Sequence, residues 1–379
     1  MQPTFNFRGI AANNQALRGM ARSIGHVRSV DEALEAAGLN WNVARRPYLI
    51  QGKETNKPSR FKALVRSDDG YELGPCTEQY TPIQNRDLLR QFFTVAEGAG
   101  VKLTQAGCYD GGARVFATSE FPNHSFTLPI SRQWTDAMRR NPDHGWAAED
   151  KTTLQLVMAS GHTPGLKAQF FLQAYRLVCL NAAKVSRNLG EVGIAHRGNV
   201  KEALEAIGEL VSEAANGFDD YRKQAEILRS TQSSAEVDRA YVVNLLAPEA
   251  FSAIMAETEA QVHGTHAARL TGTDLLNAVI DRTYTARFET ALAARSVAAV
   301  LDAIQSQPGA AMAQGTLWNT YNAVTYQVDH RAGRNIDAAV ESSLFGSGSK
   351  LKIKAMDLAL QYARASGTRG AAGGKASHA

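Results

Sequence analysis

Residues 152–199 read TTLQLVMASGHTPGLKAQFFLQAYRLVCLNAAKVSRNLGEVGIAHRGN. TTLQLVM is a strand-like apolar run, Thr163-Pro164-Gly165 supplies a turn, and LKAQFFL predicts the returning strand. AYRLVCLNAAKV is dense enough in apolar residues to predict the start of a helix. Past His196 the pattern changes. NVKEALEAIGELVSEAANGFDDYRKQAEIL carries Val200, Leu204, Ile207, Val211 and Phe218 at helical spacing. The switch from period 2 to period 3.6 near Asn199 predicts a sheet-bearing part before it and a helical part after it.

The same stretch holds polar residues inside apolar runs: His162, Arg176, Cys179, Asn181 and His196. A polar group buried without a partner is costly, so His162, Arg176, Asn181 and His196 are expected to gather in one buried, hydrogen-bonded network. Arg176, if buried, needs a carboxylate. Three functional readings compete with a structural network. Cys179 with His162 or His196 as its base would be a thiol nucleophile. His162, Cys179 and His196 could hold a metal, although none has ligand spacing to another. Arg176 and Asn181 could meet phosphate and base along a sheet edge. No catalytic residue, metal or cofactor is assigned from these residues.

Upstream, SVDEALEAAGL predicts a short helix with Ser29 as N-cap and Gly38 as stop. PYLI could pair as a strand, and KETNKPSR is expected to be a polar loop. FKALVR, the Asp69-Gly70 turn and YELGPCTEQYTPI predict a hairpin, with Phe61, Ala63 and Val65 alternating against Lys62, Leu64 and Arg66. Asn85 is expected to cap the helix RDLLRQFFTVAEGAG. KLTQAGCYD, Asp110-Gly111-Gly112 and ARVFATSEF predict a second hairpin. Residues 122–151 look less regular, and Glu149-Asp150 is expected in a loop. The fold class is therefore α+β: a mostly antiparallel sheet with helices, followed by a largely helical half. The expected units are an arm with a short helix at 1–39, an α+β domain at 40–198, a helical domain at 199–365 and a flexible tail at 366–379.

The 379 residues are 44% hydrophobic and 21% charged, the balance of a globular protein. No apolar run approaches the ~20 residues of a membrane span. MQPTFNFRGIAANNQ lacks the order of a signal peptide, so no membrane contact and a cytoplasmic location are expected. The three cysteines form no C-x-x-C pair, which argues against a zinc ribbon or a disulfide framework.

The net charge is +4, compatible with an anionic partner without demanding one. From Phe345 onward Lys350, Lys352, Lys354, Arg364, Arg369 and Lys375 face a single anion, Asp357. Lys350 and Lys354 lie four apart, on one helical face. Arg132, Trp134, Arg139, Arg140 and Trp146 interleave cations with rings, the pairing that single-stranded nucleic acid needs for phosphates and stacked bases. The expected partner is therefore single-stranded nucleic acid, with Arg132, Trp134, Arg139, Arg140, Trp146, Lys350, Lys352 and Lys354 as contacts. The alternatives are a solvated tail with a loop pinned by its tryptophans, and an assembly protein that forms a homo-oligomer. Ser347 or Ser349 is expected to cap the last helix, and Asp329-His330 to end the one before.

Several motifs carry a resemblance: ALVRSDDGYELG, EQYTPIQN, GCYDGGARVFA, ASGHTPG, YRLVCLNAA and AHRGN, then GTLWNTYNAVTYQVDHR and SGSKLKIKAMDLAL. In this order, from about Trp41 to Leu360, the chain resembles the phage- and plasmid-like domain of unknown function 932. It has His162-Thr163-Pro164-Gly165 where many relatives look like His-Asp-Gly, and Asn181-Ala182 where they look like Asn-Thr. The resemblance implies an origin on phages, plasmids or integrated elements, with no catalytic residues to carry over. By fold analogy alone, the element order is similar to single-strand annealing proteins of phage recombination, and such analogy does not establish function.

Overall fold

The computed structural model describes residues 21–25, 27–51, 55–98, 100–141, 148–163, 168–179, 181–184, 192–194, 200–263, 278–280, 282–283, 286–288, 290–331 and 335–373. The N-terminal part contains β1 (Ala21–Ser23), α1 (Val30–Ala37), β2 (Val43–Ile50), β3 (Lys57–Arg66), β4 (Glu72–Thr77), α2 (Asn85–Gly98), β5 (Lys102–Tyr109), β6 (Arg114–Leu128), α3 (Arg132–Arg140), β7 (Asp150–Gly161), β8 (Ala168–Arg176), β9 (Asn181–Lys184) and β10 (Val192–Ile194). Helices follow: α4 (Val200–Ser230), α5 (Ala235–Leu246), α6 (Pro248–His263), α7 (Ala291–Ser306), α8 (Leu317–Tyr326), α9 (Ile336–Leu344) and α10 (Ser347–Gly373). The fold is α+β, with an antiparallel sheet region followed by a helical half.

The large sheet has seven strands in the order β1-β5-β6-β7-β8-β10, and β9 shares the edge of β8 with β10. Its centre is β7, buried at every position except Lys151. A strand covered on both faces has no need of alternation, which is why TTLQLVM reads as a continuous apolar run. One face packs Leu154, Leu156 and Met158 with Phe170 and Leu172 against Leu88, Leu89 and Phe92 of α2 and Phe218 and Tyr221 of α4. On the other face Phe116, Val157 and Phe171 meet Val340 and Leu344 of α9 and the adjoining Phe345. The first of these cores continues without a gap into Tyr241, Val300, Trp318, Tyr321 and Tyr362. The change of pattern near Asn199 is thus a change of secondary structure across a shared interior.

Local chemistry explains many of the elements. Ser29 caps α1, its Oγ accepting from Glu32 N at 3.2 Å, and Gly38 closes the helix at φ 71°. Other expectations change. AYRLVCLNAAKV is no helix start: β8 runs to Arg176, a turn follows, and β9 returns from Asn181 to pair with it. Sheet pairing and the anchoring of Arg176 and Asn181 override an apolar density common to strand and helix. The loop expected over KETNKPSR is strand from Lys57, where β3 opens. The alternation of FKALVR breaks at a register shift between Leu64 and Val65; Leu64 is fully buried and Phe61 exposed. Residues 122–128 continue β6, with Pro122 in an irregularity between Glu120 and Ser125. Asn85 lies inside α2, its side chain turned to other partners. The tail expected from 366 is helical to Gly373. No sequence signal marked β1, which pairs with β5.

The turn between β5 and β6 joins the two sheets. Asp110, Gly111 and Gly112 have φ of 54°, 62° and 101°. A Cβ on Gly111 would lie 2.1 Å from Tyr71 Cε1, and one on Gly112 2.8 Å from Trp41 Cζ2. Gly112→Ala is therefore expected to lower stability by about 2–4 kcal/mol in urea unfolding, from positive φ and the clash together. Gly70→Ala, also at positive φ (74°) but with nothing within 4 Å, isolates the backbone cost at about 1 kcal/mol.

Candidate nucleic-acid interface and the buried polar networks

The polar residues of the central stretch divide between the two ends of β7. At its start Arg176 is 3% and Asp150 1% exposed. Arg176 Nε donates to Asp150 Oδ1 at 2.6 Å and its NH2 to Oδ2 at 2.8 Å, the bidentate geometry that suits guanidinium and carboxylate. Trp318 Nε1 donates to Oδ2 at 3.3 Å. Asn181 Nδ2 donates to Asn322 O at 3.1 Å and Thr325 Oγ1 at 2.8 Å, joining β9 to α8.

His162 follows the last residue of β7. Its Nδ1 lies 2.9 Å from Ile83 O and its Nε2 2.9 Å from Asn85 Oδ1, while Asn85 Nδ2 donates to Leu39 O and Trp41 O. Tyr80 donates to His162 O at 2.6 Å. Because Arg176 pairs opposite Thr152, roughly 30 Å of strand separates it from His162 at ~3.3 Å per residue. All three residues are buried, but the single network expected of His162, Arg176 and Asn181 is two networks at opposite ends of β7. His196 lies outside the described residues.

The same separation removes His162 as a base for Cys179. Cys179 sits by Arg176, whose NH1 is 3.6 Å from Sγ, and burial pushes its thiol pKa up. A buried neutral thiol is packing, not an activated nucleophile. Among the described residues no group of three or more His, Cys, Asp or Glu side chains is placed to hold a metal. Asp150, expected in a loop, instead opens β7 as the partner of Arg176. Trp318 was also unsuspected, and Asn85 was expected only as a helix cap. Only the polar-in-apolar pattern around Arg176 and His162 could have hinted that partners were needed.

The residues expected to contact nucleic acid also separate. Trp134 is 2% exposed and packs with Val178, Cys179 and Met312, so its ring offers no face to a base. Lys352 is 3% exposed, with Nζ 2.7 Å from Asp329 Oδ1, and so has no free charge for phosphate. Asp329 sits on a π-helical turn, Gln327–Arg331, that extends α8, where sequence reading placed a simple helix end. Neither Ser347 nor Ser349 caps α10; Ser342 Oγ accepts from Gly348 N at 3.1 Å instead. Lys350 and Lys354 are exposed, as are Arg132, Arg139 and Arg140. Arg139 lies 3.6 Å from Asp136. Trp146 lies outside the described residues.

A cationic surface missed by sequence reading lies on the small sheet, β2-β3-β4. β4 pairs with Phe61–Val65 only, so the Leu49–Pro58 and Ile50–Lys57 pairs extend beyond it as a two-stranded ribbon. β2 and β3 contain Arg45, Arg46, Lys57, Arg60, Lys62 and Arg66 and not one carboxylate. Arg66 binds Asp68, at 2.5 Å, and Gly111 O at the base. Arg45 binds Glu78 O, and Lys62 lies 3.5 Å from Glu78. Arg46, Lys57 and Arg60 are exposed without an ion-pair partner among the described residues. Arg60 Cζ sits 4.9 Å from the Phe61 ring centroid, and Leu49, Ile50, Phe61 and Tyr71 are exposed. The signal was present as VARRPYLI and KPSRFKALVR, but only the pairing of their strands gathers it on one small sheet.

The model of the family described as Domain of unknown function (DUF932) matches residues 72–345. No curated protein and no solved structure matches the chain. Among the described residues no helix is long and apolar enough to cross a membrane.

Removing one member of the buried pair leaves a charge without a partner. Asp150→Ala is expected to lower unfolding free energy by about 3–5 kcal/mol in denaturant titration, far more than Asp136→Ala at a half-buried surface pair. A thiol reagent at pH 8 is expected to leave Cys179 unmodified in the folded protein and to label it after denaturation, read by mass spectrometry.

Proposed function

We propose that this chain, which belongs to the DUF932 family, is a cytoplasmic protein that binds single-stranded nucleic acid without catalysis, in the DNA metabolism of phage- or plasmid-like elements. The observation that carries the reading is the β2–β3 ribbon. Arg46, Lys57 and Arg60 are exposed on these two strands, Arg60 against the Phe61 ring, and no carboxylate lies on either strand. Such a surface supplies both parts of non-specific strand binding: cations that replace counterions on phosphates, and a ring on which any base can stack. Lys350 and Lys354 on α10 and Arg132, Arg139 and Arg140 on α3 are additional exposed cations. The mobile-element setting rests on the motif resemblance.

A second reading takes the apolar part of the same ribbon. Leu49 and Ile50 are 60% and 59% exposed, a feature that suits contact between copies in an assembly protein.

Titration of a labelled oligonucleotide across a salt series tests the proposal. Affinity is expected to fall with salt by a log–log slope of about 0.7 per phosphate neutralised, and Arg46→Ala/Lys57→Ala/Arg60→Ala to reduce the slope by about 2. Phe61→Ala is expected to weaken binding by ~1–3 kcal/mol. Folded protein that fails to bind at low salt would refute the proposal. Concentration-dependent self-association abolished by Leu49→Lys would then favour the assembly reading.

A further inference from the structure

The sheet face that packs against α9 is apolar at one end and polar at the other, and the polar end encloses a cleft used by neither the buried networks nor the ribbon. Its floor carries Gln105 of β5, Gln155 of β7 and Gln173 and Tyr175 of β8, and His330 of the π-helical turn lines the wall. The cavity volume is about 30 Å³. At ~10–15 Å³ per enclosed water, it has room for two water-sized groups.

Gln155 and Gln173 stand directly opposite each other and are 7% and 5% exposed. Gln173 Nε2 donates to Gln155 Oε1 at 2.9 Å. That bond leaves Gln155 Nε2 and Gln173 Oε1 without hydrogen-bond partners among the described residues. Turning both amides over leaves the same remainder, one amide donor beside one carbonyl acceptor. Neither atom is sealed from solvent, so on these cross-strand neighbours lining the cleft an amide donor and an amide acceptor offer a complement that a ligand edge can take over from water. Tyr175 adds a hydroxyl with no partner among the described residues. Burial pushes its pKa well above the ordinary phenol value, so it remains a neutral donor.

The charged group in the wall is already neutralised. Asp329 accepts from Lys352 Nζ at 2.7 Å, from Ala182 N at 2.9 Å and from Ser343 Oγ. With its carboxylate already paired, the cleft offers donors and acceptors without a free carboxylate, which suits a neutral planar amide edge.

We infer that this cleft binds the amide edge of a nucleobase, with Gln155 and Gln173 reading its adjacent donor and acceptor and the remainder of the ligand outside. A free nucleoside and an unpaired base on a strand share this chemistry. The inference does not depend on the ribbon, because nucleoside binding needs no phosphate contact.

The test is calorimetric titration of the full chain with uridine, cytidine and adenosine, with 1,3-dimethyluracil as a ligand whose edge has no donor, and with an oligonucleotide. At least one nucleoside is expected to saturate, and 1,3-dimethyluracil to bind at least about tenfold more weakly, the loss of one good hydrogen bond. Gln155→Met/Gln173→Met, similar in volume, is expected to reduce nucleoside affinity by at least the same ~tenfold. Arg46→Ala/Lys57→Ala/Arg60→Ala should leave nucleoside affinity unchanged while weakening the oligonucleotide. Oligonucleotide binding that depends on the two glutamines, without nucleoside binding, assigns the cleft to a base on a strand. The inference is overturned if no nucleoside binds at ~10 mM, a limit near −2.7 kcal/mol, and oligonucleotide affinity ignores the glutamines. Equal binding of uridine and 1,3-dimethyluracil overturns it even if the double variant fails to fold.

Discussion

The fold depends most on the ion pair between Asp150 and Arg176. Both groups are taken out of water almost completely, at a cost of several kcal/mol per ion before any attraction is counted. They are tolerable only together, with two parallel hydrogen bonds and the added donor of Trp318. The pair brings the first residue of β7, the last of β8 and the first turn of α8 to one point. Burial disfavours the charged guanidinium, but the Asp150 carboxylate prevails and raises the pKa of Arg176. The pair acts as a constraint on topology: any packing that separates the three elements strands a charge.

Around that point the helical half closes over the sheet. Asn181 on β9 reaches the backbone and side chains of α8, and Asp329 on the π-helical turn receives the β9 backbone at Ala182. The π turn has a local reason: it lets Asp329 meet Lys352, Ser343 and Ala182 at once, while His330 faces the cleft. Such turns often occur at functional sites. At the far end of β7, His162 and Asn85 perform the corresponding task for α2 and the segment before β2. The two networks are anchors for the sheet's ends, and the chemistry suited to a ligand lies between and beyond them.

Exposure divides the polar residues by role more sharply than type does. Lys352 and Lys350 are two positions apart, yet one is locked to a carboxylate and the other reaches solvent. Trp134 and Phe61 are both rings near cations; Trp134 fills a small core while Phe61 stands exposed on β3 at the base of the ribbon. The glutamines of the cleft were silent as sequence, since LQL and FLQAY are ordinary strand text. They acquire meaning only as cross-strand neighbours.

The sequence by itself determined the class of fold: the Asp-Gly and Asp-Gly-Gly hairpins, the Ser29 cap, the strand pair around Pro164-Gly165 and the change to helical spacing after Asn199. These are local, written in periods of two and 3.6 and in residues that tolerate positive φ. It also marked His162, Arg176 and Asn181 as needing partners, because a polar residue within an apolar run is carried out of water with its neighbours. Which partner each found was decided by tertiary structure alone. Asp150 is twenty-six positions from Arg176 and Trp318 far beyond it, and nothing in one-dimensional order ranks Asp150 above other carboxylates. Whether AYRLVCLNAAKV became helix or strand–turn–strand was likewise settled by sheet pairing. The ribbon and the cleft exist only because antiparallel register sets distant residues side by side, and register is a property of the folded chain.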